Sequence, residues 1–322
     1  MRTPLMDWLG LSAPILQAPI GGAASLAMVT AVGKAGGIGS LAMTWTEKEP
    51  GLEMVRALDR ARVPFFLNFV LRFGAERPLW YCGGAAPAVT FSWGIDARLI
   101  AAFKAARHRV GVQVGSVGGA REAIAAGADF IIVQGIEAGG HVQSSTPLET
   151  LLKDVLPIAQ SLPIVAAGGI ASGADIARAL RLGAQAVMLG TRFLASEESL
   201  AHPAYKQALV RARAADTAYS NCFDVDWPYA MHRVLRNSTL EAWEAAGCPA
   251  APCRPGEDDI VFRTGESALV RYCDTPPYET SEGDVLAGCL YAGTGVEHID
   301  DIRPAGEIVT SLWSDAQRAL TA

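Results

Sequence analysis

Several features that would assign the chain at once are missing from it. No apolar run approaches the length of a membrane span, although half of the 322 residues are hydrophobic. Residues 1–13 carry Pro4 and Asp7 and lack the apolar core of a signal peptide, so the expected location is the cytoplasm. Positive charge is in deficit: 27 Lys and Arg against 33 Asp and Glu give a net charge of −6, with no Lys/Arg run. That balance argues against a nucleic-acid surface. The six cysteines (Cys82, Cys222, Cys248, Cys253, Cys273 and Cys289) contain no C-x-x-C. Reduced thiols are the expectation in a chain this long. The five histidines have no ligand spacing among themselves or with the cysteines, so no metal is expected. There is no Gly-x-Ser-x-Gly, hence no sign of an acyl-transfer serine. Gly21-Gly22-Ala23-Ala24 follows the first expected strand and is not the Gly-x-Gly-x-x-Gly of an open dinucleotide-binding sheet.

What is present is an alternation of short apolar runs and helical stretches. Strands are expected over 15–20, 38–43, 65–70, 88–93, 110–115, 130–134, 163–167 and 186–189. Helices are expected over 25–35, 46–61, 96–107, 117–126, 148–161 and 172–182, and 72–86 reads as irregular. Thr46 with Glu49, and Ser172 with Asp175, have the spacing of capping boxes. Strands of this kind, joined through helices by short connections, imply a parallel sheet with helices outside. Eight units fit before residue 195, the strand count of a TIM (β/α)8 barrel. After residue 198 the pattern changes: 202–246 reads as helical and 247–255 is rich in Pro and Cys. The expected organisation is a barrel from 1–197 and 304–322, with a smaller, partly helical lid over 198–303. The C-terminal helix then returns to the barrel.

The chemistry concentrates at the ends of strands. Gly168-Gly169 follows the seventh expected strand and Gly190-Thr191 the eighth, where barrels commonly bind phosphate. Backbone N–H groups bared by glycine suit such an anion, although the same glycines could simply turn the chain. Asn68, Gln113 and Gln134 are polar amides in or at the end of apolar strands. Each needs a partner, either the protein itself or the edge of a heteroaromatic ring. Gln17 sits earlier in its strand and reads as structural. His141 follows Gly139-Gly140 at the end of the sixth strand, where a flat ligand could approach bare backbone. Its imidazole exchanges a proton near neutral pH. His108, His202, His232 and His298 lack that setting and read as surface or cap residues. Glu137 either orients His141 or faces solvent.

Gln17-Ala-Pro-Ile20, Gln134-Gly-Ile-Glu-Ala-Gly-Gly-His141, Ala166-Ala-Gly-Gly-Ile170 and Gly190-Thr-Arg-Phe193 together resemble the nitronate monooxygenase family. The resemblance covers 13–197 and extends to Tyr291-Ala-Gly-Thr-Gly-Val296 and Pro304-Ala-Gly-Glu-Ile308. It implies FMN bound noncovalently at the C-terminal face of the barrel. The phosphate would lie on Gly168, Gly169, Gly190 and Thr191. Ala18, Pro19, Ile20 and Asn68 would contact the isoalloxazine, Gln113, Gln134, Gly139 and Gly140 would line the same rim, and His141 would be the catalytic group beside the ring. The implied reaction takes a nitronate or nitroalkane and O2 to a carbonyl compound and nitrite. FMN-dependent reductases of quinones or enoyl thioesters, driven by NAD(P)H, resemble the same motifs and are the alternative. The chain departs from the family in Gln113, where a small residue or Thr is usual. It also has no Lys after Lys206, where the family's lid carries one near paired tyrosines. The motif Trp80-Tyr-Cys-Gly-Gly84 is a third departure.

Overall fold

A computed structural model of the chain describes residues 2–321. Eight parallel strands form its centre: β1 (Ile15–Gln17), β2 (Gly39–Ala42), β3 (Phe65–Val70), β4 (Ala88–Ser92), β5 (Arg109–Val114), β6 (Phe130–Gln134), β7 (Ile164–Ala167) and β8 (Ala186–Leu189). From β2 to β8 each strand pairs with the next, and β8 pairs with β1. The ring closes where Leu16 bridges Ile38 at the start of β2. Successive side chains of one strand point to opposite faces. Accordingly Leu16, Phe66, Ile132, Val165 and Met188 fill the barrel interior. Their neighbours Leu67, Ile131, Val133, Ala166 and Val187 pack outward under the helices. Burial on both faces is why these runs read as continuously apolar.

Helix α1 (Pro4–Leu9) adds Leu5, Met6 and Leu9 to the interior cluster and covers the end of the barrel where the strands begin. From the sequence, no element is assigned to this segment. Its signals are local: Thr3 accepts from the Met6 N–H, Pro4 opens the helix, and Gly10 closes it in the left-handed region. Helices α2 (Leu26–Lys34), α3 (Lys48–Ala61), α4 (Ala97–Ala105), α5 (Val117–Ala125), α6 (Leu148–Ala159) and α7 (Gly173–Arg181) follow β1, β2, β4, β5, β6 and β7. Between β3 and β4 only the 3-10 turns Leu71–Phe73 and Arg77–Tyr81 form, and α8 (Thr191–Leu194) is a single turn after β8. Ser172 and Asp175 do form the capping box of α7. Thr46 and Glu49 do not: α3 begins at Lys48 without a side-chain cap, and the Thr46 hydroxyl turns back to the Ala42 carbonyl.

From α8 the chain builds α9 (Pro203–Arg211), the antiparallel strands Thr217–Ser220 and His232–Leu235, and α10 (Ser238–Ala245). A separate three-stranded sheet of Ile260–Thr264, Ser267–Val270 and Ser281–Gly283 follows. The expectation of helix throughout 202–246 is thus corrected. Short β-favouring runs such as Thr217–Ser220 pair across a loop, which their own helical-looking flanks conceal. Helix α11 (Ala305–Thr321) returns to the barrel and packs against α7 and α2, burying Ile308, Val309, Leu312 and Ala316. It stands where an outer helix after β8 would stand. No helix among the described residues is long and apolar enough to cross a membrane. All six cysteines are unpaired.

Candidate active site

A cavity of about 790 Å³ opens at the C-terminal ends of the strands. Ala18, Pro19 and Ile20 enter it from the end of β1, Asn68 from β3, Gln113 from β5, and Gln134, Gly139, Gly140 and His141 from β6 and its loop. Gly168 and Gly169 line it after β7, and Gly190 and Thr191 after β8. All thirteen residues singled out in the sequence therefore share one cavity. That is the C-terminal face on which barrels carry their sites.

The two late loops have the properties of an anion cradle. The backbone N–H groups of Gly168, Gly169, Gly190 and Thr191 donate to no acceptor among the described residues. Gly168 and Gly169 have φ of +116° and +67°, so glycine is required there. Beyond that, a Cβ on Gly169 would press on Glu137 and Thr294 at 2.9 and 3.0 Å. Gly190 is ordinary in φ, and its Cβ would meet only Ala18 and Ile20 at 3.6 Å. The Thr191 hydroxyl accepts from the Gly293 N–H at 3.0 Å, tying this loop to the chain that leads into α11. Four free donors with no basic side chain among them fit a phosphate monoester held by backbone alone.

Gly139 and Gly140 divide the role expected of them as a pair. A Cβ on Gly139 would lie 2.4 Å from the Gly293 nitrogen, so this glycine lets two stretches of backbone touch. Gly140, at φ +77°, has open space where its side chain would be. It begins the short strand Gly140–His141, which adds to His232–Leu235 and fixes where His141 stands.

The amides divide as well. Asn68 donates to the Thr90 hydroxyl at 3.0 Å, and its carbonyl oxygen takes no donor from the protein. The Gln113 side chain makes no hydrogen bond. Gln134, in contrast, is fully used: it donates to the His141 carbonyl at 3.2 Å and accepts from the Gln143 N–H at 2.8 Å. It brackets the loop that carries His141. Gln17 is fully buried and accepts from the Ser40 N–H, a structural role as expected. Glu137 does not reach His141. Its carboxylate accepts from the Leu148 N–H and so caps α6.

His141 sits in an aromatic enclosure. Its ring centroid is 4.1 Å from Trp227, 5.4 Å from Tyr291 and 5.8 Å from His232. Nε2 is buried without a hydrogen-bond partner, 3.7 Å from the Asp274 carboxylate. Burial, helped by His232, pushes the His141 pKa down to about 3. Burial also pushes Asp274 up to about 7, with the Asp226 carboxylate adding to the effect. Both shifts disfavour the charged form. At neutral pH the imidazole is neutral, and Asp274 divides between carboxylate and acid.

His232 was read from the sequence as a surface or cap residue, and it is neither. It is fully buried, accepts from the Phe223 N–H through Nε2, and pairs its backbone with that of His141. His108 is also buried, accepting from the Gly83 N–H and bonding the Ala86 carbonyl. His202 caps α9, as expected. The wall of the cavity also includes Trp45, Phe73, Trp93, Asp226, Trp227, Asp274, Tyr278 and Tyr291. Tyr278 and Tyr291 could be suspected from the sequence. Asp226, Trp227 and Asp274 carry no local signal, because only the fold of the 198–303 segment brings them to the barrel. Asp226, Cys273 and Asp274 place their ligand atoms within 4.8 Å of one another. Burial lifts the Cys273 thiol to about 11, and it donates to Asp226.

Residues 79–315 match the family model described as nitronate monooxygenase. A nitronate monooxygenase from Pseudomonas aeruginosa is 33% identical, the alignment covering 94% of this chain and 96% of that protein. A (3aS,4S,5R,7aS)-5-hydroxy-7a-methyl-1-oxo-octahydro-1H-indene-4-carboxyl-CoA dehydrogenase from Mycobacterium tuberculosis is 31% identical over 98% of this chain and 96% of its own. Among solved structures, a nitroalkane oxidase from Streptomyces ansochromogenes superimposes with a TM-score of 0.81 at 27% identity, covering 99% of both chains. Agreement runs over the whole length, barrel and covering segment together, and the chain belongs to the nitronate monooxygenase family of flavin-dependent oxidoreductases.

Proposed function

We propose that the protein is an FMN-dependent monooxygenase that oxidises alkyl nitronates with O2 to a carbonyl compound and nitrite. The observation that carries this reading is His141: a neutral, unpartnered imidazole in the same cavity as four free backbone donors. Those donors suit the single terminal phosphate of FMN, and Asn68 and Gln113 keep amide capacity for the edge of the flavin ring. When bound, the flavin supplies the acceptor for the electrons of the nitronate. The overall balance is two nitronates and one O2 to two carbonyl groups and two nitrites. Each C–N bond breaks and each carbon gains one oxygen atom.

The protein's own contribution is placement and proton handling. Gln134 fixes the His141 backbone, and Trp227 and Tyr291 hold the ring. A neutral imidazole can take the α-proton of a nitroalkane as a general base. Ionised Asp274, 3.7 Å from Nε2, strengthens that base by stabilising the imidazolium. The 198–303 segment serves as the lid, because it supplies Trp227, Asp274 and Tyr291 to the substrate side of the cavity. Oxygen uptake and nitrite release with ethyl nitronate test the reading. The expected ratio is two nitrites per O2, with FMN released on denaturation. Protein that takes up FMN yet consumes no oxygen with any nitronate would contradict it.

A further inference from the structure

A row of aromatic rings runs from the surface to His141. Trp45, after β2, is 58% exposed, and Phe73, after β3, is 40% exposed. Their centroids are 5.4 Å apart. Phe73 meets Trp227 edge-on at 4.8 Å, Trp93 meets Trp227 at 4.8 Å, and Trp227 lies 4.1 Å from His141. All of these rings line the cavity. Scattered exposed apolar side chains are ordinary, but contiguous rings leading into a cavity mark a binding surface. Trp93 is held at φ +55°, a backbone conformation that bulky residues rarely adopt, and it aligns with the same row.

Charge limits what can lie on this wall. No Lys or Arg lines the cavity, whereas Asp226 and Asp274 do. A substrate bearing phosphates would find no cation there and would meet two carboxylates. The glycine loops hold four free backbone donors, and in the proposed function those belong to the cofactor.

We infer that the substrate is a compact, ring-bearing apolar nitro compound, packed against the cavity side of the Trp45, Phe73, Trp93 and Trp227 row with its nitro-bearing carbon toward His141. The inference rests on the proposed nitronate chemistry at this site and adds the class of molecule. Aromatic rings prefer edge-to-face and offset contacts with centroids about 4.5–7 Å apart, and the row offers such contacts to a guest ring.

Two probes separate this inference from the reading beneath it. Phenylnitromethane carries a ring and an α-proton. Nitrobenzene carries a ring but cannot form a nitronate, so it reports binding alone through quenching of tryptophan fluorescence. Flavin-loaded protein should favour phenylnitromethane over nitroethane in kcat/KM. That preference should fall by roughly tenfold in Trp45→Ala and in Phe73→Ala, the scale of one lost apolar contact in a pocket. Nitrobenzene affinity should weaken in parallel, with circular dichroism and flavin content checking the fold. Turnover of neither nitro compound, with nitrobenzene still bound more weakly by the variants, would sink the nitronate reading and keep the aromatic site. Equal nitrobenzene affinity in parent and variants, or no preference for the ring, overturns the inference.

Discussion

An imidazole nitrogen buried without a partner is a standing cost, and His141 Nε2 lies 3.7 Å from a carboxylate that burial keeps half protonated. The pair makes two roles for His141 separable. His141→Asn keeps a polar group but removes the base. The rate with a neutral nitroalkane should fall by about 10²–10⁴-fold, the usual weight of a general base, while a pre-formed nitronate still reacts. Equal losses on both substrates would reassign His141 to binding. Asp274 predicts a pH dependence. As pH rises through about 7 the carboxylate forms and His141 becomes the stronger base, so nitroalkane turnover should rise there, and Asp274→Asn should flatten the rise. Stability runs in the opposite direction. The Asp274 pKa is raised on folding, so its contribution is present below its ordinary 3.8 and is lost as pH rises through about 7. The Tm of Asp274→Asn should therefore gain on the parent between about pH 4 and 7 and level off above. A variant that tracks the parent in both rate and Tm would remove Asp274 from the account.

Among the elements, the loop after β8 offers a cleaner test of the phosphate cradle than the loop after β7. Gly169 has a left-handed φ and tight neighbours, so a side chain there disturbs the fold as well as the site. Gly190 has room. Gly190→Asp should fold like the parent, judged by circular dichroism and Tm, yet lose flavin because a carboxylate would stand in the proposed phosphate cradle. Full retention of flavin would remove this loop from the cradle. What the sequence revealed follows the reach of its signals. Buried parallel strands announce themselves in runs such as Phe130–Gln134, and Ser172 with Asp175 announces a helix start, because both signals are local. Helix α1 was equally local, but its cap of Thr3 and Gly10 went unread. Thr46 and Glu49 had the right spacing and were overruled by the Ala42 carbonyl. His232 was misjudged for a different reason. Whether an amide serves a ligand or a loop, and whether a histidine is buried, depends on chain far away in sequence.

Across the whole molecule, the barrel supplies the glycine loops with Trp45, Phe73 and Trp93, and the 198–303 segment adds Asp226, Trp227, Asp274, Tyr278 and Tyr291 to the same cavity. The barrel half was legible because its motifs lie at strand ends. The other half was not, since Trp227 and Asp274 reach His141 only once two separate antiparallel arrangements have formed. The same scaffold leaves the nitronate reading and the reductase alternative as the two to be separated. Anaerobic mixing of flavin-loaded protein with each reductant decides between them most directly. The account predicts rapid bleaching of the flavin absorbance by a nitronate and no comparable bleaching by NADH or NADPH. Rapid bleaching by either nicotinamide, with none by a nitronate, would contradict it.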